Sequence, residues 1–304
     1  MNNRRHFLTT SLGALSVSVL PAIEPIRRPG TCRMQLGLAA YSFREYFQWS
    51  RDKEQKAKDG RKPWSMVDFV DWCADHGVAG AEVTSYFFPP DVEREFLLEL
   101  KRRAYLRGVQ LAGTAVGNNF ALPKGDQLNA EIAYVKKWID HAALMGAPHI
   151  RLFAGPQPKD LSLEEAVANC QAAYQECLGY AAGQGIFLGL ENHGGIVAGP
   201  DNLIKMVAAA KSAWAGINFD SGNFHTADPY ADLAAIAPYA VNVQLKMEIK
   251  RAGNPQAEPS DIKRVIQILR EANYQGWFTL EYEEKKDPFV EVPKILEMLK
   301  PLLI

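Results

Sequence analysis

Four oxygen-bearing side chains stand where short apolar runs stop. Residues 187–195 (FLGLENHGG) pass from apolar side chains into Glu191, Asn192 and His193. Residues 217–220, 241–244 and 278–281 stop in the same way at Asp220, Gln244 and Glu281, at successive intervals of 29, 24 and 37 residues. A short apolar run that breaks off in polar groups reads as a buried parallel strand opening into a loop. Each interval is about the length of one strand–helix unit, and in barrels of alternating strands and helices chemistry gathers at strand ends. Glu191, Asp220 and Glu281 in one mouth would repel one another unless a cation sat among them, because unpaired buried charge is expensive. Carboxylate and amide oxygens suit Mg²⁺ or Mn²⁺ better than a soft ion. Any one of these acids alone would serve equally as a solvated or salt-bridged strand end. Three at matching positions point to a metal-centred site.

The elements that would position them follow one repeated pattern of helix, glycine or turn, short apolar strand and polar loop. Strands are expected at 35–42, 80–83, 109–116, 149–153, 187–191, 216–220, 240–244 and 277–281. Between them, Ile132, Val135, Ile139 and Ala142 fall on one helical face. Ser162-Leu163-Glu164-Glu165 has the spacing of a capping box. Helix-to-strand turns are short and plain, whereas strand-to-helix loops are long and rich in Asn, His, Tyr, Trp and Pro, so the second face is the functional one. No G-x-G-x-x-G or Walker-type loop favours an open nucleotide-binding sheet. Eight such units predict an α/β fold, a single-domain (β/α)8 TIM barrel over residues 34–304.

A chain of 304 residues fits such a barrel of about 250 residues with extras. A net charge of −1 gives no electrostatic argument for nucleic acid or an anionic membrane as partner. At the N-terminus, Asn3-Arg4-Arg5-His6-Phe7-Leu8 resembles the twin-arginine export motif, and the apolar run that follows to Leu20 is too short to span a bilayer. Residues 1–22 are therefore expected to be a signal peptide and 23–33 a linker. The mature protein would be periplasmic, with no membrane span. Cys170 and Cys177 lie seven apart on one expected helix, about 10 Å along its axis and too far for a disulfide. Cys32 and Cys73, like these two, are read as apolar thiols.

Taken as a set, LGLENH, NFDSGNFH, VNVQLK and WFTLEYE resemble the sugar phosphate isomerase/epimerase superfamily. These are the xylose-isomerase-like barrels, which include ketose 3-epimerases, hydroxypyruvate isomerases and inosose dehydratases. The resemblance spans residues 34–300. It implies four metal ligands at the ends of strands five to eight, here Glu191, Asp220, Gln244 and Glu281, with Mn²⁺ or Mg²⁺ as cofactor. Gln244 departs from the family, which has His there; a neutral amide oxygen weakens Zn²⁺ or Co²⁺ relative to Mg²⁺ or Mn²⁺, or leaves the site metal-poor. Asn223 stands where many members have His, and His225 is expected to take over part of that role. The chemistry implied is proton abstraction next to a carbonyl, with a metal-stabilised enediolate and with Glu191 and Glu281 as the two proton carriers. A sugar isomerase or epimerase is the first reading. A lyase or dehydratase acting on a keto-sugar or keto-glycoside is the alternative, and a non-catalytic carbohydrate-binding relative the second, on the strength of the missing His.

Around the site, His193 is a candidate for a substrate hydroxyl or a structural loop residue. Lys246 would contact substrate or pair with Glu248, and Glu82 would bind a hydroxyl or pair with Arg151. Tyr41, Phe43, Tyr46, Phe47, Trp49, Tyr86, Phe87, Phe88 and Phe120 would form a carbohydrate-binding wall or cap the barrel. His76, His141 and His149 read as structural, and the charged run 51–62 as a solvated loop. An exported enzyme would meet neutral sugars rather than phosphates. Endonuclease-type relatives need more histidine ligands than this chain offers.

Overall fold

A computed structural model describes residues 24–254 and 256–303; the expected signal peptide lies outside the described residues. Eight parallel strands close into a barrel: β1 (Arg33–Ala39), β2 (Gly80–Glu82), β3 (Gln110–Ala115), β4 (His149–Leu152), β5 (Phe187–Glu191), β6 (Ala215–Asp220), β7 (Ala240–Leu245) and β8 (Gln275–Leu280). Each strand pairs with the next, and β8 closes on β1 through Arg33–Leu38 opposite Gln275–Leu280. Eight helices follow in turn: α1 (Met66–Asp75), α2 (Arg94–Leu106), α3 (Asp126–Met145), α4 (Leu163–Gln184), α5 (Pro200–Ala208), α6 (Pro229–Ile236), α7 (Ile262–Glu271) and α8 (Pro288–Leu299). This is the (β/α)8 TIM barrel that the repeated pattern predicts.

Local sequence explains where the helices begin. Ser162 caps α4 reciprocally with Glu165, as its spacing predicts, and Ser65 caps α1 with Asp68 in the same way. On α3, Ile132, Val135, Ile139 and Ala142 are all buried against the barrel. Gly146 and Gly185 end α3 and α4 in the left-handed conformation and release the chain into β4 and β5. All four cysteines are free; Cys73, Cys170 and Cys177 are buried, as apolar thiols would be. No helix among the described residues is long and apolar enough to cross a membrane.

The barrel interior is a polar column rather than a uniform apolar core. Alternate residues of a strand face the same way, so Asn218 and Asp220 on β6 share one face, as do Asn242 and Gln244 on β7. Near the floor, His149 is buried with both ring nitrogens unpaired, and burial followed by the Arg151 charge lowers its pKa to about 3. It is a neutral packing residue. Gly189 makes room for it: a Cβ there would lie 2.6 Å from His149 Nε2.

Strand boundaries shift where the chain turns early. β1 starts at Arg33 and leaves the barrel after Ala39 into a 3₁₀ turn, Ala40–Phe43, so Tyr41 sits on a turn and not in a strand. The polar loops after β1 and β7 contain small antiparallel ribbons, Trp49–Ser50 with Lys53–Glu54 and Glu248–Ile249 with Glu258–Pro259.

Candidate active site

Glu191 ends β5 almost completely buried, and its carboxylate is fully engaged. Oε2 lies 2.9 Å from the Arg151 guanidinium Nε, while Oε1 meets His193 Nδ1 at 2.8 Å and accepts from Asn223 Nδ2 at 2.9 Å. Burial alone would raise its pKa, but Arg151 and then His193 hold it below the ordinary carboxylate value. Burial opposes the charge on His193, and the hydrogen bond to Glu191 overcomes that, so its pKa is raised. Arg151 is anchored in turn by the Val116 carbonyl at 3.2 Å and the Tyr86 hydroxyl at 3.3 Å.

The chain holds β5 and β6 in register through Asn192. Its Nδ2 donates to the Asp220 carbonyl at 2.9 Å, and its Oδ1 accepts from the Asp220 N–H at 2.9 Å. Asp220 is wholly buried. Its Oδ1 accepts from Gly222 N–H at 2.8 Å, while Oδ2 has no hydrogen bond and faces Lys246 Nζ at 3.5 Å. Burial pushes the Asp220 carboxyl up to about 8 despite the opposing Lys246 charge. Lys246, one residue past β7, bonds to Glu281 Oε2 and lies 3.0 Å from Glu283 Oε1. Its partners are therefore Glu281, Glu283 and Asp220, not Glu248. Burial likewise raises the Glu281 pKa, with Lys246 opposing.

Gln244 does not join the acids at the mouth, as expected of a ligand. Its Nε2 donates to Glu82 Oε1 at 2.6 Å and its Oε1 accepts from Asn218 Nδ2 at 2.7 Å. Asn242 Nδ2 closes the circuit, donating to Asn218 Oδ1 at 2.8 Å and to Glu82 Oε2 at 3.0 Å. The amide is used up in a buried ring beneath the mouth. Glu82 belongs to this ring, and neither a direct pair with Arg151 nor an exposed hydroxyl site is formed. Burial, reinforced by the nearby Glu281 charge, raises the Glu82 carboxyl to about 7.

That shift sets a pH dependence. A proton kept in the folded state from 4.5 to about 7 gives stability that is present at low pH and lost as pH rises through the folded value. The amount is at most ~3 kcal/mol. In thermal melts at pH 5 and pH 8, wild type is expected to lose more stability across the interval than Glu82→Gln. Equal losses would show that Glu82 ionises in the folded protein as an exposed carboxyl does.

Glu191, Glu281, Lys246, His193 and Arg151 line one cavity of about 90 Å³, with Tyr41, Tyr86 and Phe153 as its aromatic side. It shares Lys246 and Glu283 with a hollow of about 290 Å³ that Asn223 and His225 also line, and Tyr41 and Tyr86 with one of about 390 Å³ that Arg44 lines. Asn223, not His225, reaches Glu191; His225 is exposed on the outer hollow. Of the remaining loop aromatics, Phe43, Tyr46, Phe47, Phe87, Phe88 and Phe120 are buried in the hydrophobic core, whereas Tyr41, half-buried, and Tyr86, itself buried, line the cavity. His76 stacks on Trp72 and His141 packs edge-on to Trp138, both away from the site.

A divalent metal fits this donor set poorly. The unbonded Asp220 Oδ2 is the one feature that invites a cation. Against it, an ammonium already touches Asp220 and Glu281, a guanidinium neutralises Glu191, and the Gln244 oxygen is committed to Asn218. Among the described residues, no three His, Cys, Asp or Glu side chains are arranged to hold a metal ion.

Asn218, Asn242 and Phe153 join the site without a motif that marks them in the sequence. The signal for the first two is a polar residue two positions before a polar strand end, hence on the same inward face.

A family model described as xylose isomerase-like TIM barrel matches residues 70–302, and the chain belongs to that family. Among solved structures, it is similar to a D-psicose 3-epimerase from Clostridium cellulolyticum H10 with D-tagatose (14% identity, 89% of this chain and 99% of that chain, TM-score 0.70). It is similar also to a 3-keto-D-glucoside 4-epimerase from E. coli (14%, 88% and 100%, 0.66). A xylose isomerase domain protein from Planctomyces limnophilus is a third (18%, 90% and 98%, 0.67). Among curated proteins, none matches this sequence.

Proposed function

We propose that this protein is a sugar isomerase or epimerase that moves a proton on the carbon next to a carbonyl. The observation that carries the reading is that Glu191 and Glu281 line one cavity with pKa values driven in opposite directions. Pairs of carboxyls separated in this way divide the roles of base and acid. Ionised Glu191 takes the proton; the C–H electron pair becomes a C=C bond and the carbonyl π pair moves onto oxygen. For epimerisation the oxyanion pair reforms the carbonyl as the C=C pair takes a proton from Glu281 on the opposite face. For isomerisation the C=C pair takes the proton at the former carbonyl carbon, and the proton of the neighbouring hydroxyl passes to the oxyanion, so that the carbonyl moves to the adjacent carbon. His193, half-exposed beside Glu191, is placed for a substrate hydroxyl, and Tyr41 and Tyr86 for the C–H face of a sugar. No step above runs through a metal ion such as Mn²⁺ or Mg²⁺.

Two named epimerases among the structural neighbours support a ketose or keto-glycoside as substrate. Arg4-Arg5 and the apolar run after them support export and a neutral periplasmic sugar. Purified protein should be incubated with ketopentoses, ketohexoses and 3-keto-glycosides, and the products separated. An epimer or isomer is expected. Release of the aglycone would assign elimination instead, and sugar binding without any product would assign a non-catalytic binder.

A further inference from the structure

We infer that the ε-ammonium of Lys246 is this pocket's built-in cation, standing between Asp220 and Glu281 where a divalent metal would otherwise be needed. The first observation is contact. Lys246 Nζ bonds to Glu281 Oε2, lies 3.0 Å from Glu283 Oε1 and faces the otherwise unbonded Asp220 Oδ2 at 3.5 Å. One ammonium thus spans acids from the ends of β6 and β8 and from the loop beyond β8.

The second observation is that the lysine stem has a made place. Its backbone N–H donates to Ser221 Oγ at 2.8 Å. Gly222 passes so close that a Cβ there would sit 2.7 Å from both Lys246 Cβ and Cγ. Any larger residue at 222 would push the stem aside. The side chain is therefore packed into position from its root and is not a surface lysine resting on a neighbouring acid.

The third is charge balance. Arg151 neutralises Glu191, and its contact at 2.9 Å is as buried as the carboxylate it meets. Lys246 then serves Asp220 and Glu281 together. A divalent ion among the same acids would lie against the Lys246 ammonium, and like charges in contact disfavour it. It would also have to draw the Gln244 oxygen away from Asn218, at the cost of a buried hydrogen bond. Lys246 and Glu281 line the same cavity, so an oxygen of a bound keto-sugar that gains negative charge would meet the ammonium there.

The consequence for turnover rests on the proposed proton-transfer reading; the cation assignment itself does not, and its test is a binding measurement. Wild type and Lys246→Met, each treated with a chelator and dialysed, should be titrated with Mn²⁺ by calorimetry, with free Mn²⁺ followed by paramagnetic resonance. Wild type is expected to show no stoichiometric binding up to millimolar Mn²⁺. Lys246→Met, whose acids have lost their counter-charge, should bind roughly tenfold tighter or more, as affinity follows ligand charge. Stoichiometric micromolar binding by wild type overturns the inference. So does a folded Lys246→Met that binds no better than wild type. If that variant does not fold, the wild-type titration decides alone, since it needs no substitution. A sugar panel without any product would end the functional reading and leave the titration result standing.

Discussion

Glu281→Gln is expected to lower turnover roughly 10²–10⁴-fold on whichever ketose the protein converts, the range that a positioned proton carrier supplies. The substitution keeps shape and one hydrogen-bonding oxygen. Lys246 retains Asp220 and Glu283, and Glu281 N–H still donates to the Leu245 carbonyl at 2.9 Å. Fold should therefore be unchanged by circular dichroism, and the midpoint of thermal unfolding should move little. An unchanged rate in a folded variant would end the assignment of Glu281 as a proton carrier. A loss confined to KM would instead make Glu281 a binding residue.

The second large effect is on stability. Arg151→Met leaves the Glu191 carboxylate buried without its guanidinium, and breaking one side of a buried ion pair costs about 3–5 kcal/mol. The bonds from Arg151 to Val116 and Tyr86 go with it. His193 offsets part of the loss, since it keeps its 2.8 Å contact with Oε1. The penalty has a pH signature. In wild type the folded pKa of Glu191 lies below its ordinary value of 4.5, so the stabilisation is present above that value and fades as pH falls through the folded one. The difference in unfolding free energy between wild type and Arg151→Met should therefore be large at pH 7 and smaller near pH 4. A difference that stays constant across that range would show that Arg151 acts by packing alone.

Much of this architecture is legible in the chain because the barrel repeats one unit eight times. The stretch FLGLENH marks a strand end without ambiguity: β5 does stop at Glu191, and the next apolar run does stop at Asp220. β7 is instructive because Gln244 pairs in register with Asp220, yet its amide turns to Glu82 and Asn218 instead of to the acids. The strand runs on to Leu245, so Gln244 faces inward below the rim. Residues 242, 244 and 246 share the inward direction, and it is Lys246 that arrives at the mouth.

Other features were hidden for a different reason. The ribbon Trp49–Glu54 turns on Arg51 and Asp52, both in the left-handed region (φ 50° and 64°), without the Asn-Gly or Asp-Gly pair that announces such a turn. The choice of Asn223 over His225 beside Glu191 depends on how the loop after β6 bends back across the mouth, which residue types alone do not specify.

In the proposed reaction Glu191 and Glu281 exchange a proton with the carbon beside a sugar carbonyl. The most direct measurement is proton NMR of a ketose or 3-keto-glycoside incubated with the protein in D₂O. Deuterium is predicted to replace the hydrogen next to the carbonyl at least as fast as product forms, and Glu281→Gln should suppress that incorporation. Product that forms with its original hydrogen still on that carbon and no deuterium anywhere, at the wild-type rate in Glu281→Gln, would contradict it.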